Sequence, residues 1–220
     1  GDLYVNNNDG ETVASFAFQR GATTPTMGDL TVDTITLSNK AFFEVATGHT
    51  FAYTTLTWDG GYLVQAGTIT FPSADFTIGS GKYILKGANP TFDNLTIQNG
   101  GTLSHWGNTT TAAGKLYYID MTINVNLTIQ AGGSIDVSQT GYYYSQGPGA
   151  GSAGNYGYQS SQGPDGGSFG GEGGDGTSAS ATHGAPYGSI TAPEDIGSGG
   201  GWNNSGYYFR TYGGSGGGQI

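Results

Sequence analysis

Asn94-Leu-Thr-Ile-Gln-Asn-Gly-Gly-Thr-Leu103 returns almost letter for letter as Asn126-Leu-Thr-Ile-Gln-Ala-Gly-Gly-Ser-Ile135. The five-residue phrase that opens both stretches also stands earlier in looser wording, at Thr34-Ile-Thr-Leu-Ser38, Thr55-Leu-Thr-Trp-Asp59 and Asp75-Phe-Thr-Ile-Gly79. The first three steps between phrases are nearly equal, each about 20 residues, which is the period of a solenoid with one coil per step. Within each phrase an apolar residue, Thr and a second apolar residue alternate, so Ile35/Leu37, Leu56/Trp58, Phe76/Ile78, Leu95/Ile97 and Leu127/Ile129 share one strand face. The threonines take the other face.

A turn and a second short strand follow each phrase, as in Asp59-Gly-Gly-Tyr-Leu-Val64 and Gly79-Ser-Gly-Lys-Tyr-Ile-Leu85. Glycine supplies the positive φ that tight corners require. A third apolar patch closes some coils, at Thr50-Phe-Ala52 and Thr68-Ile-Thr-Phe71. Two or three strands per coil, stacked about 4.8 Å apart, predict an all-β, right-handed parallel β-helix over residues 28–140. The step from Asn94 to Asn126 is longer than the others by more than half, and its excess falls in His105-Trp-Gly-Asn-Thr-Thr-Thr-Ala-Ala-Gly-Lys-Leu116, read as a loop thrown out from one corner. Over residues 1–27, Leu3-Tyr-Val5 and Thr12-Val-Ala-Ser-Phe-Ala-Phe18 flank Asn6-Asn-Asn-Asp-Gly10, which predicts a hairpin capping the first coil.

Composition changes abruptly at Gly141. Of 43 glycines, 26 follow residue 140, along with nine of the fifteen tyrosines, while Leu and Val vanish there. Such a segment cannot form an aliphatic core of its own, so residues 141–220 read either as disorder or as a Gly/Tyr-rich layer packed on or extending the β-helix. The tyrosines favour the layer, because their rings offer contact area that aliphatics do not.

Sixteen acids against six bases give a net charge of −10, which argues against nucleic acid and anionic lipid surfaces as partners. No apolar run is long enough to span a membrane as a helix. Without cysteine there is neither a disulfide nor a thiolate metal site. A start at Gly1 with no signal peptide reads as a processed or excised chain.

The runs Asn94 to His105, Asn126 to Val137, Gln146-Gly-Pro-Gly149, Tyr187-Gly-Ser189, Gly197-Ser-Gly-Gly-Gly201 and Gly213-Gly-Ser-Gly-Gly-Gly-Gln-Ile220 carry a resemblance. Residues 90–220 resemble glycine-rich β-helical modules of very large secreted and cell-surface proteins, mainly prokaryotic. The resemblance implies an extracellular or cell-surface location and this architecture. It brings no catalytic residue with it.

Polysaccharide lyases and hydrolases built on β-helices need a carboxylate pair, or a calcium-binding acidic cluster beside a base. The acids here are scattered; Asp75, Asp120 and Asp136 form no ladder in the sequence, and no catalytic residue is assigned. His49, His105 and His183 lack metal-ligand spacing. No cofactor is expected; calcium at Gly163-Pro-Asp-Gly-Gly-Ser168, Gly170-Gly-Glu-Gly-Gly-Asp175 or Asn6 to Glu11 is the alternative, although the acidic nonapeptide of calcium β-rolls is missing.

Asn94, Asn108, Asn126 and Asn203 stand in Asn-x-Ser/Thr sites, with Asn108 and Asn203 the glycosylation candidates. The stacked Thr36, Thr57, Thr77, Thr96 and Thr128 raise ice binding, but Asp75, Asn94 and Asn126 break the flat Thr-x-Thr array that ordered water needs. Trp106, Tyr142, Tyr143, Tyr144, Trp202, Tyr207 and Tyr208 are candidate contacts for sugar rings or for a neighbouring copy. The sequence therefore predicts a non-enzymatic structural or adhesive module of an extracellular fibre, sheath or surface protein, self-associating through its ends and its Gly/Tyr-rich segment. A β-helix that binds or degrades surface polysaccharide is the alternative.

Overall fold

The computed structural model describes residues 1–6, 23–25, 28–108, 115–157, 160–161, 165–176, 183–189, 191–205, 210–211 and 213–219. Among them there is no helix. The chain divides into two compact units: residues 1–106 with 118–136, and residues 107–117 with 137–220.

The first unit contains β1 (Asp2–Asn6), β2 (Thr23–Pro25), β3 (Leu30–Ser38), β4 (Phe42–Val45), β5 (Thr50–Asp59), β6 (Tyr62–Gln65), β7 (Thr68–Thr70), β8 (Asp75–Ile78), β9 (Gly81–Leu85), β10 (Thr91–Ile97), β11 (Gly101–His105), β12 (Thr122–Ile129) and β13 (Ser134–Ile135). Every pairing between them is parallel. The largest sheet runs β13-β11-β9-β6-β4-β2, each strand beside its counterpart from the next pass of the chain. One row across it reads Thr24, Phe43, Leu63, Tyr83, Leu103, Ile135, every residue one step of the repeat on from the last and the final step the long one. The period read from the phrases is thus the spacing of neighbouring strands.

The phrases themselves lie in two further sheets, β1-β3-β5-β7 and β12-β10-β8. Thr34 to Leu37 pair residue for residue with Thr55 to Trp58, and Asp75 to Ile78 with Asn94 to Ile97 and then with Asn126 to Ile129. The ladder breaks between the second and third phrases, at Trp58. That position is Leu37, Ile78 or Ile97 in other phrases, and here it carries a bulky indole. It stays half-buried and donates from Nε1 to the Thr77 carbonyl at 3.0 Å, so a side chain spans what a backbone rung spans elsewhere.

Asp2-Leu-Tyr-Val-Asn6 is a sixth copy of the phrase. It pairs parallel with Thr34 to Ser38, placing Leu3 beside Ile35 and Val5 beside Leu37. The expected partner of Leu3 to Val5 in a hairpin, Thr12 to Phe18, lies outside the described residues, as does the turn ending at Gly10. The step from Asp2 to Thr34 is as long as the step from Asn94 to Asn126.

The interior is lined by the alternate residues of the strands. Ile35, Leu37, Val45, Phe51, Ile78, Leu85, Leu95 and Ile97 have no exposed surface. An aromatic chain runs through it, with Phe71 touching Tyr53, Phe76 and Phe92, and Phe76 stacked on Phe92 at 5.0 Å. Tyr83 is fully buried and its hydroxyl donates to Gln65 Oε1, which satisfies the one polar atom the ring carries inside. Each of these rings removes a large apolar area from water, the main term favouring the fold.

Glycine is required in the corners for close approach of backbone. A Cβ on Gly101 would stand 2.6 Å from the Ile78 carbonyl oxygen, and one on Gly133 2.6 Å from that of Ile97. These corners are tight because one pass of the chain turns directly over the previous one.

The second unit is not a featureless tail. It holds β14 (Gly154–Gly157), β15 (Ser160–Ser161), β16 (Asn203–Ser205) and β17 (Arg210–Thr211), in the order β15-β14-β16-β17 with only the central pair parallel. Its glycine runs bond laterally: Gly141 N–H donates to Gly216 O at 2.8 Å, Tyr142 N–H to Gly197 O at 2.9 Å, Gly197 N–H to Gly217 O at 2.9 Å and Gly200 N–H to Gly214 O at 3.0 Å. Backbone packs on backbone so closely that a Cβ on Gly216 would lie 1.8 Å from the Gly197 oxygen. Ile196 and Tyr142 provide the buried apolar surface, and Tyr187 sets its ring edge-on to Phe169 at 5.4 Å.

Candidate functional site

In the first unit the apolar ladder ends unfinished. Leu127 and Ile129 lie in register beside Leu95 and Ile97, which have no exposed surface, yet they are 46% and 47% exposed. Val125 on the same strand is 64% exposed. Strand β12 stands last in its sheet, so its outer backbone N–H and C=O groups have no strand beside them among the described residues. At the opposite end of the chain order β1 is likewise last in its sheet, and Tyr4 on it is 72% exposed. Both edges carry the same five-residue phrase. One offers the exposed apolar pair Leu127/Ile129 at i and i+2, and the other carries Leu3/Val5 with the same spacing, Leu3 half-buried and Val5 buried.

A polar row accompanies the phrases. Asn126 Nδ2 donates to Asn94 Oδ1 at 3.0 Å, and Asn94 Nδ2 donates to Asp75 Oδ1 at 2.7 Å. Asp75 is thus the acceptor that terminates an amide ladder. The threonines stack as expected, Thr36 on Thr57 and Thr77 on Thr96 on Thr128, but in two separate sheets divided at Trp58.

The aromatic candidates divide. Trp106 is half-buried against Phe42, Val64 and Ile84, with Lys86 Nζ 4.6 Å from its ring centroid and 2.6 Å from Glu44 Oε1. Tyr143 and Tyr144 are half-buried, their rings tilted at 4.0 Å. Trp202 is also half-buried. Tyr142 is only 5% exposed, which makes it a packing residue of the glycine layer rather than a surface contact. Tyr207 and Tyr208 lie outside the described residues. The reason sequence could not sort Tyr142 from Tyr143 and Tyr144 is that one residue of backbone decides which ring turns inward.

Asn108 corrects the expectation of a glycan. It is 2% exposed, its Nδ2 donates to Tyr117 O at 2.8 Å and Thr140 O at 3.1 Å, and its Oδ1 accepts from Leu116 N–H at 2.8 Å and Tyr117 N–H at 2.9 Å. An amide nitrogen so enclosed has no room for a sugar; its work is to hold the loop closed. Asn203 sits in β16, where its backbone pairs with Gly154 and Thr211.

No group of three or more His, Asp or Glu side chains is gathered as metal ligands among the described residues. In the expected calcium stretches, Asp165 is 2% exposed and its Oδ1 accepts from Gly176 N–H at 2.6 Å. Asp175 and Glu172 instead flank His183, Asp175 through Nδ1 and Glu172 at 3.8 Å from Nε2. The hydrogen bond to Asp175 raises the His183 pKa, and the Asp175 and Glu172 charges add to it. His105 is the opposite case. It has no exposed surface, and burial lowers its pKa against the pull of the bond between Nδ1 and Trp106 O at 2.9 Å. His49 is a turn residue whose N–H donates to Ala46 O at 3.1 Å.

Of the scattered acids, Asp120 and Asp136 are exposed, and the Asp136 backbone joins the sheet, its N–H on Leu103 O and its carbonyl accepting from Ser104 Oγ. No helix of the described residues is long and apolar enough to cross a membrane. Comparison of the chain with protein-family models, with curated proteins and with solved structures found no match.

Proposed function

We propose that this chain winds as a right-handed parallel β-helix and serves as a non-enzymatic structural or adhesive module of an extracellular fibre, sheath or surface protein, joining copies end to end. The observation that carries the reading is the exposed pair Leu127/Ile129 on an edge strand, in register with the buried pair Leu95/Ile97. An apolar row repeated to the last rung and then left open suits a further strand of the same spacing. Strand β1, last in its sheet among the described residues, carries one, so the occupant is a second copy, adding Asp2 to Asn6 beside Thr122 to Ile129. Heterologous joining of this kind yields a filament where the rotation between copies does not close a ring.

Right-handed winding follows from the hand favoured by parallel crossovers. The secreted or cell-surface setting rests on the likeness of residues 90–220 to glycine-rich modules of such proteins. Low charge, at 10% of residues, suits a surface meant to pack against its own kind. Negative-stain electron microscopy of the purified chain across a concentration series tests the reading. Filaments whose axial repeat matches one subunit support it. Isolated particles at every concentration, with a single sedimenting species, overturn it.

A further inference from the structure

The corners that follow the phrases are stacked on one another, and along them lies a groove of about 370 Å³, within the roughly 300–1,000 Å³ typical of small-molecule sites. Lys40, Asp59, Tyr62, Ser80, Lys82 and Thr102 supply its side-chain lining. It stands open at Gly60. A Cβ on Gly60 would meet nothing within 4 Å, so the space there belongs to the groove rather than to packing.

Lys40 is the anomaly. Counting back from the paired residues Phe42, Tyr62, Lys82, Thr102 and Ser134, the same corner position holds Lys40, Gly60, Ser80, Gly100 and Gly132. The three glycines there have φ of 80°, 76° and 82°, and Lys40 has φ of 57° with Asn39 beside it at 52°. A lysine is held in a left-handed conformation that three of the four other corners give to glycine, and a Cβ is strained there. Neighbouring backbone enforces it, since Asn39 N–H donates to Asp59 O at 3.1 Å and Lys40 N–H to Gly60 O at 3.0 Å. Glycine would relieve the strain with the fold unchanged. What lysine adds is an ammonium at the groove.

Lys82 adds a second, 6.0 Å from the Tyr62 ring centroid, and the Tyr62 ring is fixed edge-on against Phe42 at 4.7 Å. Two of the six basic residues of a chain with net charge −10 thus border one groove that also presents an aromatic ring, and Asp59 brings the one carboxylate of that lining. We infer that this groove binds a carboxylated saccharide unit, a hexuronate or sugar acid of that size. Lys40 and Lys82 take its carboxylate, Tyr62 packs on the apolar face of its ring, and Asp59, Ser80 and Thr102 accept or donate to its hydroxyls. Selectivity for the acid over the neutral sugar rests on the two lysines; the ring contact is common to both.

Calorimetric titration with trigalacturonate, and with galactotriose as its neutral counterpart, tests the assignment on the whole chain. The expected result is binding of trigalacturonate that weakens as salt rises, at least tenfold tighter than that of galactotriose. Lys40→Gly is expected to weaken trigalacturonate binding about tenfold while leaving the melting temperature equal or higher, a combination a purely structural lysine would not give. Lys82→Gln should weaken it by a similar factor. Equal binding of the two sugars, no binding of trigalacturonate at millimolar concentration, or Lys40→Gly binding as well as the natural chain would each overturn the proposal. Changes at Leu127 and Ile129 are expected to leave the titration as it is, so its outcome is independent of end-to-end joining.

Discussion

Leu127 lies in strand register beside Leu95, yet Leu95 has no exposed surface while Leu127 is 46% exposed. The same residue at the same place in the same phrase therefore stands in two different settings. Leu95→Ala opens a cavity in a closed core and is expected to lower unfolding free energy by about 2–5 kcal/mol in a denaturant titration. Leu127→Thr together with Ile129→Thr removes only exposed apolar surface and keeps strand propensity, so stability is expected to change by about 0.5 kcal/mol or less. Sedimentation velocity separates the two settings: the natural chain is expected to form a larger, concentration-dependent species, and the double variant is expected to lose it.

Gly101 gives the second prediction. Its φ is not in the left-handed region; what it lacks is space, because a Cβ would stand 2.6 Å from Ile78 O and 2.7 Å from Gly79 O. Gly101→Ala is expected to cost about 1–3 kcal/mol by forcing backbone apart, read as a lower denaturation midpoint. Gly28→Ala, where nothing lies within 4 Å, should fall within about 0.5 kcal/mol of the natural chain.

The histidines are expected to respond to acid in opposite directions. Burial lowers the His105 pKa below its unfolded value near 6.5, so the stability it contributes is complete above that value and is lost as pH falls through the lower folded pKa. His183, raised chiefly by its bond to Asp175, contributes stability that is complete below its unfolded value and is lost as pH rises through the higher folded pKa. An NMR titration of the imidazole protons should give a midpoint below 6.5 for His105 and above 6.5 for His183. His183→Gln should abolish the second effect and leave the first.

Asn108 supplies the fourth. Removing an amide that makes four hydrogen bonds in a buried setting leaves the Leu116 and Tyr117 N–H groups without acceptors. Asn108→Ala is expected to destabilise the second unit by about 2–4 kcal/mol, seen as faster amide exchange at Leu116 and Tyr117. Intact mass from a glycosylating host should show no sugar at Asn108, whatever happens at the other sites.

Much of this fold was legible because strand pairing here is a matter of counting. Neighbouring phrases pair residue for residue, so the period predicted that Thr77 would meet Thr96, and the repeated wording across the long step predicted that Leu95 would meet Leu127. Asp2 to Asn6 escaped notice as a phrase because Tyr4 stands where the others have Thr, and because its step to the next phrase is one of the two long ones. The signal was nevertheless present in Leu3 and Val5 and in a step identical to that from Asn94 to Asn126. Asn108 was misread for a different reason: its partners are Thr140, far along the chain, and the N–H groups of Leu116 and Tyr117 across the corner loop, and no local pattern announces them. The groove was hidden likewise, since Lys40, Tyr62 and Lys82 become neighbours only once the corners stack.

The two long steps show what the register tolerates. Asp2 reaches Thr34, and Asn94 reaches Asn126, with the same rung geometry as phrases joined by the ordinary, shorter step. Neighbouring strands recognise their place in the stack, not the length of chain between them. A corner of this molecule is therefore a port: sequence can be added or exchanged there while the rungs above and below keep their alignment, so new surface chemistry can be acquired without redesigning the paired strands that carry it.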